Sequence, residues 1–280
     1  MTSGIPVVLP NVPHMSLNLG PRANAHYLSI GESPSWEPLE TQLFISLLSD
    51  APRVLDIGAN IGWFSCIGGS IAGTAGLFYA FEPDHDNFAC LIDNITQNRL
   101  FNVVPLRVAL GDEDGGGHLF INEDNLGDHR INQVEGRHAV PIQIAKLDTV
   151  LEGKDFIPDL IKIDVQGAET VAFEGGKKTL HRAGKQCAKL IEFWPGGMTG
   201  GVVEAEELAQ RIFSWNQQVY VCHHEGTGSI RPIDIATLIS AVHGCIHPEK
   251  PSYLDLLIAP DDARMGKLQP FIGPNWQPWE

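Results

Sequence analysis

Apolar and polar positions alternate along this chain with two periods, which predict buried strands followed by helices. Short apolar runs such as VLDIG and LIKIDV are bounded by turn residues, as expected of strands covered on both faces. Apolar residues three and four positions apart, as in residues 37–48, predict helices. Between residues 53 and 223 the two patterns alternate, and this predicts βαβ units and a doubly wound, mostly parallel α/β sheet.

Three segments depart from this alternation and suggest how the chain is organised. Residues 1–35 are rich in Pro, Gly, Ser and Asn and predict an irregular N-terminal arm. Residues 111–145 contain two strand-like runs around a polar loop, which predicts a hairpin insertion near the active site. Residues 263–280 predict a C-terminal tail that ends in an extended aromatic stretch. We therefore expect one catalytic domain over residues 36–262.

Composition narrows the classes of partner. The formal net charge is -15, and an acidic surface repels phosphate backbones and anionic lipid headgroups. We therefore expect neither nucleic acid nor a membrane as partner. The five cysteines are scattered without a C-x-x-C pair, as expected of reduced core thiols. The first residues lack the features of a signal peptide and no run is long enough for a membrane helix, so we expect a cytoplasmic protein.

The turn in RVLDIGANIGWFS is the first candidate for ligand binding, because ligands of such sheets bind beyond the carboxyl ends of the strands. No segment has the spacing of a phosphate-binding P-loop. A dinucleotide fingerprint requires glycines where this chain has Gly58, Asn60 and Trp63. The mismatch disfavours an NAD(P)-dependent oxidoreductase, which stays open as an alternative together with a non-catalytic adenosine-binding module.

The pattern that fits is an acid followed by two spaced glycines, namely Asp56, Gly58 and Gly62. An acid at this point repels a diphosphate and suits a cofactor that carries an ammonium and a sulfonium. Gly58 lets the backbone approach a ligand, and Asn60 tolerates a left-handed conformation. Glu82 ends the second strand at the offset where an acid binds ribose hydroxyls. Together these residues predict S-adenosylmethionine as the cofactor.

Four blocks together resemble the FkbM family of S-adenosylmethionine-dependent methyltransferases. They are VLDIGANIGWFS, AFEPDHDNFACLIDNITQN, LDTVL and DLIKIDVQGAETVAFEGGKKTL, and they fall within roughly residues 50–195. The segment IDVQGAE is close to the family's Ile-Asp-Val-Glu-Gly-Ala-Glu block, with Gln166 where the family usually has glutamate. The resemblance implies a Rossmann-like class I methyltransferase fold of seven strands, with residues 252–260 as the antiparallel last strand.

The resemblance also implies an activity and an adenosine pocket. The activity is transfer of a methyl group to a hydroxyl of a sugar or secondary metabolite, with S-adenosylhomocysteine as product. We expect the turn that carries Asp56 to hold the amino-acid end of the cofactor and Glu82 to hold the ribose. Asp84 either contacts adenine or caps the following helix. By its position in the family pattern, Ala109 lines the adenine pocket.

Acids at the strand ends and residues of the insertion are the candidates for catalysis and acceptor binding. O-methylation requires alignment of the acceptor and removal of a hydroxyl proton. Asp164 is the first candidate for general base or acceptor contact, and Glu192 is expected at the same edge. His129 in the insertion is a further candidate base. Arg130 could grip an anionic acceptor, and Trp194 could stack on a sugar ring.

A metal is not required by any spacing in the chain. Asp164, Glu169 and Glu192 could together form an oxygen-rich Mg²⁺ site, but we expect none. His223 and His224 are expected in a surface turn after a late strand. The identity of the hydroxylated small-molecule acceptor and the oligomeric state, a homodimer included, are left open by the sequence.

Overall fold

The computed structural model describes residues 5–9, 12–20, 36–225, 228–246 and 252–274. The strands are β1 Ile5–Val7, β2 Met15–Leu17, β3 Arg53–Ile57, β4 Leu77–Phe81, β5 Val103–Leu106, β6 Ala109–Leu110, β7 Gly115–Ile121, β8 His138–Ala145, β9 Leu160–Ile163, β10 Ala188–Phe193, β11 Val219–His223, β12 Ser229–Pro232 and β13 Leu254–Ile258. The α-helices are α1 Pro38–Leu47, α2 Trp63–Ala72, α3 His85–Gln97, α4 Leu147–Val150, α5 Glu169–Gly175, α6 Lys177–Ala183, α7 Gly201–Ser214, α8 Ile235–Cys245 and α9 Met265–Leu268.

The central sheet has the strand order β12-β11-β13-β10-β9-β3-β4-β5. Strands β10, β9, β3, β4 and β5 are parallel, whereas β13 runs antiparallel to both of its neighbours. The predicted mostly parallel sheet with an antiparallel last strand is therefore confirmed. The expected number of strands is one too low, because Ser229–Pro232 adds an eighth strand at the edge. This run is short and contains a proline, which an edge strand tolerates but which hides the strand in the sequence.

Apolar layers cover both faces of the sheet. One layer includes Val54 and Phe44, and the other includes Leu55, Ile57 and Phe173. Successive side chains of a strand point to opposite faces, so the side chain of Asp56 lies on the same face as Val54. This alternation decides which residues of β3 can reach a ligand at the end of the strand.

The described part of the N-terminal segment is more regular than predicted. Strands β1 and β2 pair antiparallel, and Val7, Met15 and Leu17 are buried in the core. The backbone N–H of Asn18 donates a hydrogen bond to the side chain of Asn94 in α3 at 2.6 Å. Apolar residues within a polar, proline-rich stretch thus attach this segment to the domain.

The insertion and the C-terminal segment flank the sheet. Strands β7 and β8 pair antiparallel and β6 pairs parallel with β8, which forms a separate three-stranded sheet. At the C-terminus, α9 is followed by Gly273, whose N–H donates to the carbonyl oxygen of Ile230 at 2.8 Å. The aromatic stretch predicted at the end of the chain, residues 275–280, lies outside the described residues. Among the helices of the described residues, none has the length and apolar character needed to cross a membrane.

Candidate active site

A cleft opens at the carboxyl ends of the parallel strands. Its empty space, which includes the part open to solvent, is about 620 Å³. Several residues predicted from the sequence line it, namely Gly58, Asn60, Glu82, Ala109, His129 and Asp164. Its apolar wall includes Leu110, Leu119 and Leu126. The cleft thus combines an apolar wall with acidic groups.

The turn after β3 forms the floor of the cleft and requires glycine. Gly58 has a φ of 83° and Asn60 a φ of 52°, so both are left-handed, as the sequence analysis allowed for Asn60. A Cβ atom at Gly58 would stand 1.8 Å from the carbonyl oxygen of Asp164. The backbone N–H of Asp164 in turn donates to the carbonyl oxygen of Ile57 at 2.9 Å. The absence of a side chain therefore lets this turn pack against the end of β9.

Glu82 is held at the end of β4 by two backbone groups. Its carboxylate oxygens accept hydrogen bonds from the N–H groups of Asn60 and Asp84, both at 2.8 Å. The residue is only 5% exposed, and burial raises the pKa of Glu82 to about 8 although these N–H donors act in the opposite direction. Each oxygen has a further lone pair, so the carboxyl group can still accept bonds from a vicinal diol.

Asp56 does not lie in the cleft, contrary to the sequence prediction. It is 1% exposed, and its Oδ2 atom accepts hydrogen bonds from the N–H and the hydroxyl of Ser65 at 3.0 and 2.5 Å. Burial raises the pKa of Asp56. The alternation of side chains in β3 directs this carboxyl group into the layer beneath α2. It therefore fixes the start of that helix.

Gly62 and Asp84 also have structural roles, since each lies at the start of a helix. Gly62 begins α2 with a φ of 91°, and a Cβ atom there would stand 2.5 Å from Leu91. Asp84 caps α3, because its Oδ1 atom accepts hydrogen bonds from the N–H groups of Asp86 and Asn87 at 3.0 and 2.9 Å. Neither residue is among those that line the cleft, whereas Ala109 lines it as expected.

Gln166 connects the two acids expected at the acceptor edge. Its side-chain N–H₂ group donates to Asp164 Oδ1 and to Glu192 Oε1, both at 2.6 Å. A glutamate here would place a third carboxyl group between the other two. Burial and then the charge of Asp164 raise the pKa of Glu192 well above its usual range. Glu192 is not among the residues that line the cleft, so its role as a base stays a prediction.

Lys162 lies beside these acids and was not predicted. Its Nζ atom is 3.4 Å from Asp164 Oδ2 and 3.7 Å from Glu37 Oε2. Burial alone would lower the pKa of Lys162, but the charges of Glu37 and Asp164 outweigh it and raise the pKa well above its usual range. A lone lysine within the apolar run LIKID was the available signal, since a buried charge needs partners.

The insertion contributes His129 to the cleft, while Arg130 and Trp194 contact each other. The Nδ1 atom of His129 accepts a hydrogen bond from the N–H of Asn122 at 3.1 Å. Arg130 pairs with Asp128 at 2.7 Å and stacks over the ring of Trp194 at 4.1 Å. The arginine charge is thus already compensated within the insertion, contrary to the expectation that it awaits an anionic acceptor.

The carboxylates of Asp164, Glu169 and Glu192 do not converge on a metal. Glu169 is fully buried, and its Oε1 atom accepts a hydrogen bond from the N–H of Gly167 at 3.0 Å. Burial raises the pKa of Glu169 to about 8. Among the described residues, the one group of three possible ligands within 4.8 Å of one another is instead Glu40, His224 and Asp255.

Comparison with known proteins identifies a family. Residues 56–213 match the family model described as the methyltransferase FkbM domain. A search of curated proteins found no match.

Solved structures with a similar fold are remote in sequence. Precorrin-6y C5,15-methyltransferase from Geobacter metallireducens GS-15 is 13% identical with a TM-score of 0.43, covering 80% of this chain and 88% of that one. Fibrillarin from Aeropyrum pernix, in complex with S-adenosyl-L-methionine, is 10% identical with a TM-score of 0.44 over 79% and 74% of the two chains. The O-methyltransferase from Bacillus cereus, in complex with SAH, is 12% identical with a TM-score of 0.39 over 83% and 84%. Similarities this remote carry no argument about the acceptor.

Proposed function

The chain belongs to the FkbM methyltransferase family, whose methyl donor is S-adenosylmethionine, and we propose that it methylates a hydroxyl oxygen of a sugar or secondary metabolite. One observation carries the proposal. The family match spans the motifs around Gly58, Glu82 and Asp164, and all three residues line a single cleft. We infer that residues 36–262 form the catalytic domain.

The residues of the cleft fit S-adenosylmethionine. Glu82 retains acceptor capacity for the two ribose hydroxyls, and the wall around Ala109 and Leu119 suits adenine. When bound, the cofactor supplies an electrophilic methyl group on a positively charged sulfur. We propose no cofactor contact for Asp56, because Ser65 donates two hydrogen bonds to its buried Oδ2 atom.

Asp164 is the proposed general base. The amide of Gln166 holds its Oδ1 atom at 2.6 Å, and Lys162 lies 3.4 Å from Oδ2. These two contacts keep the carboxyl group in one orientation at the edge of the cleft. There it can accept the proton of an acceptor hydroxyl, a contribution of about 10²- to 10⁴-fold in rate for a positioned base.

His129 is proposed to position the acceptor. Because its Nδ1 atom accepts the N–H of Asn122, the neutral ring carries its proton on Nε2. A ring in this tautomer carries an N–H donor on Nε2 and is not a base at that atom, so we assign His129 to the placement of the acceptor and not to proton removal. The proposed roles at the cleft are then divided between a base, Asp164, and a hydrogen-bond donor, His129.

A small-molecule acceptor agrees with the charge of the chain. The formal net charge of -15 disfavours a polyanionic substrate such as nucleic acid. The insertion, which carries His129 and Leu126 into the cleft, is the segment proposed to select the acceptor.

A transfer assay with labelled methyl groups tests the proposal. The protein is incubated with methyl-labelled S-adenosylmethionine and a panel of sugars, glycosides and polyketide alcohols. We expect a labelled methyl ether with at least one member and formation of S-adenosylhomocysteine. Label found only on nitrogen, or no product from any hydroxylated compound although the cofactor binds, would overturn O-methylation.

A further inference from the structure

Three possible metal ligands from separate elements lie close together. They are next to the end of the sheet that carries Asp164 and Glu192, where the acceptor is proposed to bind. Glu40 lies in the first turn of α1, His224 follows β11, and Asp255 lies in β13. One ligand atom from each lies within 4.8 Å of the others. The His224 Nε2 atom is 3.3 Å from Asp255 Oδ2 and 3.5 Å from Glu40 Oε1.

Glu40 has bonding capacity that the protein does not use. It is 2% exposed, and within the described part of the chain its carboxylate oxygens have no hydrogen bond of good geometry beyond the contacts with His224 at 3.5 Å and with the Cys222 thiol. A carboxyl group buried in this way is costly unless it is paired or bound to a metal. The buried thiol of Cys222 lies nearby, and burial together with the charge of Glu40 raises the pKa of that thiol.

The distances fit a tetrahedral ion. We propose that Glu40, His224 and Asp255 bind a divalent transition cation with the coordination preferences of zinc. Zinc–nitrogen and zinc–oxygen bonds of about 2.1 Å place tetrahedral ligands about 3.4 Å apart, whereas octahedral neighbours stand about 3.0 Å apart. The two separations from His224, 3.3 and 3.5 Å, agree with the tetrahedral value, and the ligand atoms of Glu40 and Asp255 lie within 4.8 Å of each other. Three protein ligands leave a fourth position for water or another oxygen.

The site is close to the groups proposed for methyl transfer. Asp255 is the register partner of Glu192 across β10 and β13. Glu37, which precedes α1, lies 3.7 Å from Lys162, and Lys162 in turn lies 3.4 Å from Asp164. The side chain of His224 is 54% exposed, so an ion can enter from solvent. An acceptor oxygen in the fourth position is a consequence that rests on the proposed function, whereas binding of the ion does not.

Direct metal titration tests the site. Tag-free protein treated with a chelator is titrated with Zn²⁺ by calorimetry and with Co²⁺ by visible absorption. We expect a single equivalent of Zn²⁺ and the intense visible bands of tetrahedral Co²⁺. Each of His224→Ala, Asp255→Asn and Glu40→Gln should weaken binding at least about tenfold, the loss that even an outer-shell partner costs. Neither the Zn²⁺ titration nor the Co²⁺ titration requires the methyl donor or an acceptor. The metal site can therefore be confirmed or rejected even if the protein does not methylate a hydroxyl.

The neighbouring histidine provides the matched control. His223→Ala should leave the Zn²⁺ affinity unchanged, since the contact of its Nε2 atom is with Glu225 at 3.8 Å. Glu40→Gln keeps the shape of the side chain and removes a buried charge, so it should remain folded by thermal unfolding. Absence of stoichiometric Zn²⁺ binding would overturn the site. The site would also be overturned if Zn²⁺ binding persisted in all three ligand variants. The same holds if binding were lost on alkylation of the cysteines but not in the ligand variants.

Discussion

Gly58 packs directly against the backbone of Asp164, so that a Cβ atom on Gly58 would stand 1.8 Å from the carbonyl oxygen of Asp164. This contact joins the turn after β3 to the end of β9. The part of the cleft proposed to hold the cofactor and the part proposed to hold the acceptor therefore share one wall. Their relative position depends on a glycine at this point.

Substitution of Gly58 should damage both stability and cofactor binding. Gly58→Ala forces the two strand ends apart, whereas Gly153→Ala meets no atom within 4 Å and has a comparable φ of 71°. In the control, the free energy of unfolding should fall by only about 1–2 kcal/mol, the cost of placing alanine in the left-handed conformation. Urea denaturation and calorimetric titration with S-adenosylmethionine measure the two effects. Equal losses of unfolding free energy and of cofactor affinity in the two variants would show that the contact between Gly58 and Asp164 does not matter.

Asp56→Ala should lower the free energy of unfolding without removing the cofactor site. The substitution leaves the buried N–H and hydroxyl of Ser65 without their acceptor, a loss of about 1–3 kcal/mol. Ser65→Ala should cause a smaller loss of the same kind, and the double variant should be less than additive. Chemical denaturation measures each variant. If Asp56→Ala abolishes binding of S-adenosylmethionine at unchanged stability, its carboxyl group contacts the cofactor after all.

Asp56 also illustrates what the sequence could and could not predict. The order of strands and helices follows from hydrophobic periodicity, and the ligand edge follows from the fold class. Gly58 and Glu82, which the sequence predicts as cofactor ligands, line the cleft, since their positions at strand ends are set by that periodicity. The direction of the Asp56 side chain depends on strand alternation relative to the layers of helices, which a motif does not specify.

The acceptor side was harder to predict because it depends on contacts between distant segments. Gln166 bridges Asp164 and Glu192, and Lys162 approaches Glu37 from another element. The sequence predicts that Asp164 and Glu192 share one edge, but it predicts neither the bridge through Gln166 nor the contact of Lys162 with Glu37. The eighth strand, Ser229–Pro232, was missed for a local reason, since its proline and short length resemble a loop.

Glu82→Gln should weaken binding of S-adenosylmethionine. A typical hydrogen bond contributes about 0.5–1.5 kcal/mol, so loss of one acceptor for the ribose should raise the dissociation constant about 2- to 10-fold. Glu152→Gln, an exposed substitution of the same kind, should leave it unchanged. Calorimetric titration measures both variants. An unchanged affinity in Glu82→Gln would exclude this carboxyl group as the ribose ligand.

Glu169 should make the stability of the protein depend on pH. Its pKa is raised from 4.5 to about 8 by burial, so the native state retains a proton that the unfolded state loses. The contribution is fully present below about pH 4.5 and is lost as the pH rises toward about 8. Glu169→Gln should therefore show a smaller decline in unfolding free energy between these limits than the parent protein. Denaturant unfolding over this range, with Glu152→Gln as control, measures the difference, and parallel curves for all three proteins would contradict it.

Methyl transfer by Asp164→Asn tests the central claim most directly. Single-turnover transfer from methyl-labelled S-adenosylmethionine to a hydroxylated acceptor is compared between this variant and the parent, with cofactor affinity measured alongside. We predict a labelled methyl ether in the parent, a rate about 10²- to 10⁴-fold lower in the variant, and little change in cofactor affinity. An equal rate in the variant, or label recovered on an atom other than oxygen, would contradict the account.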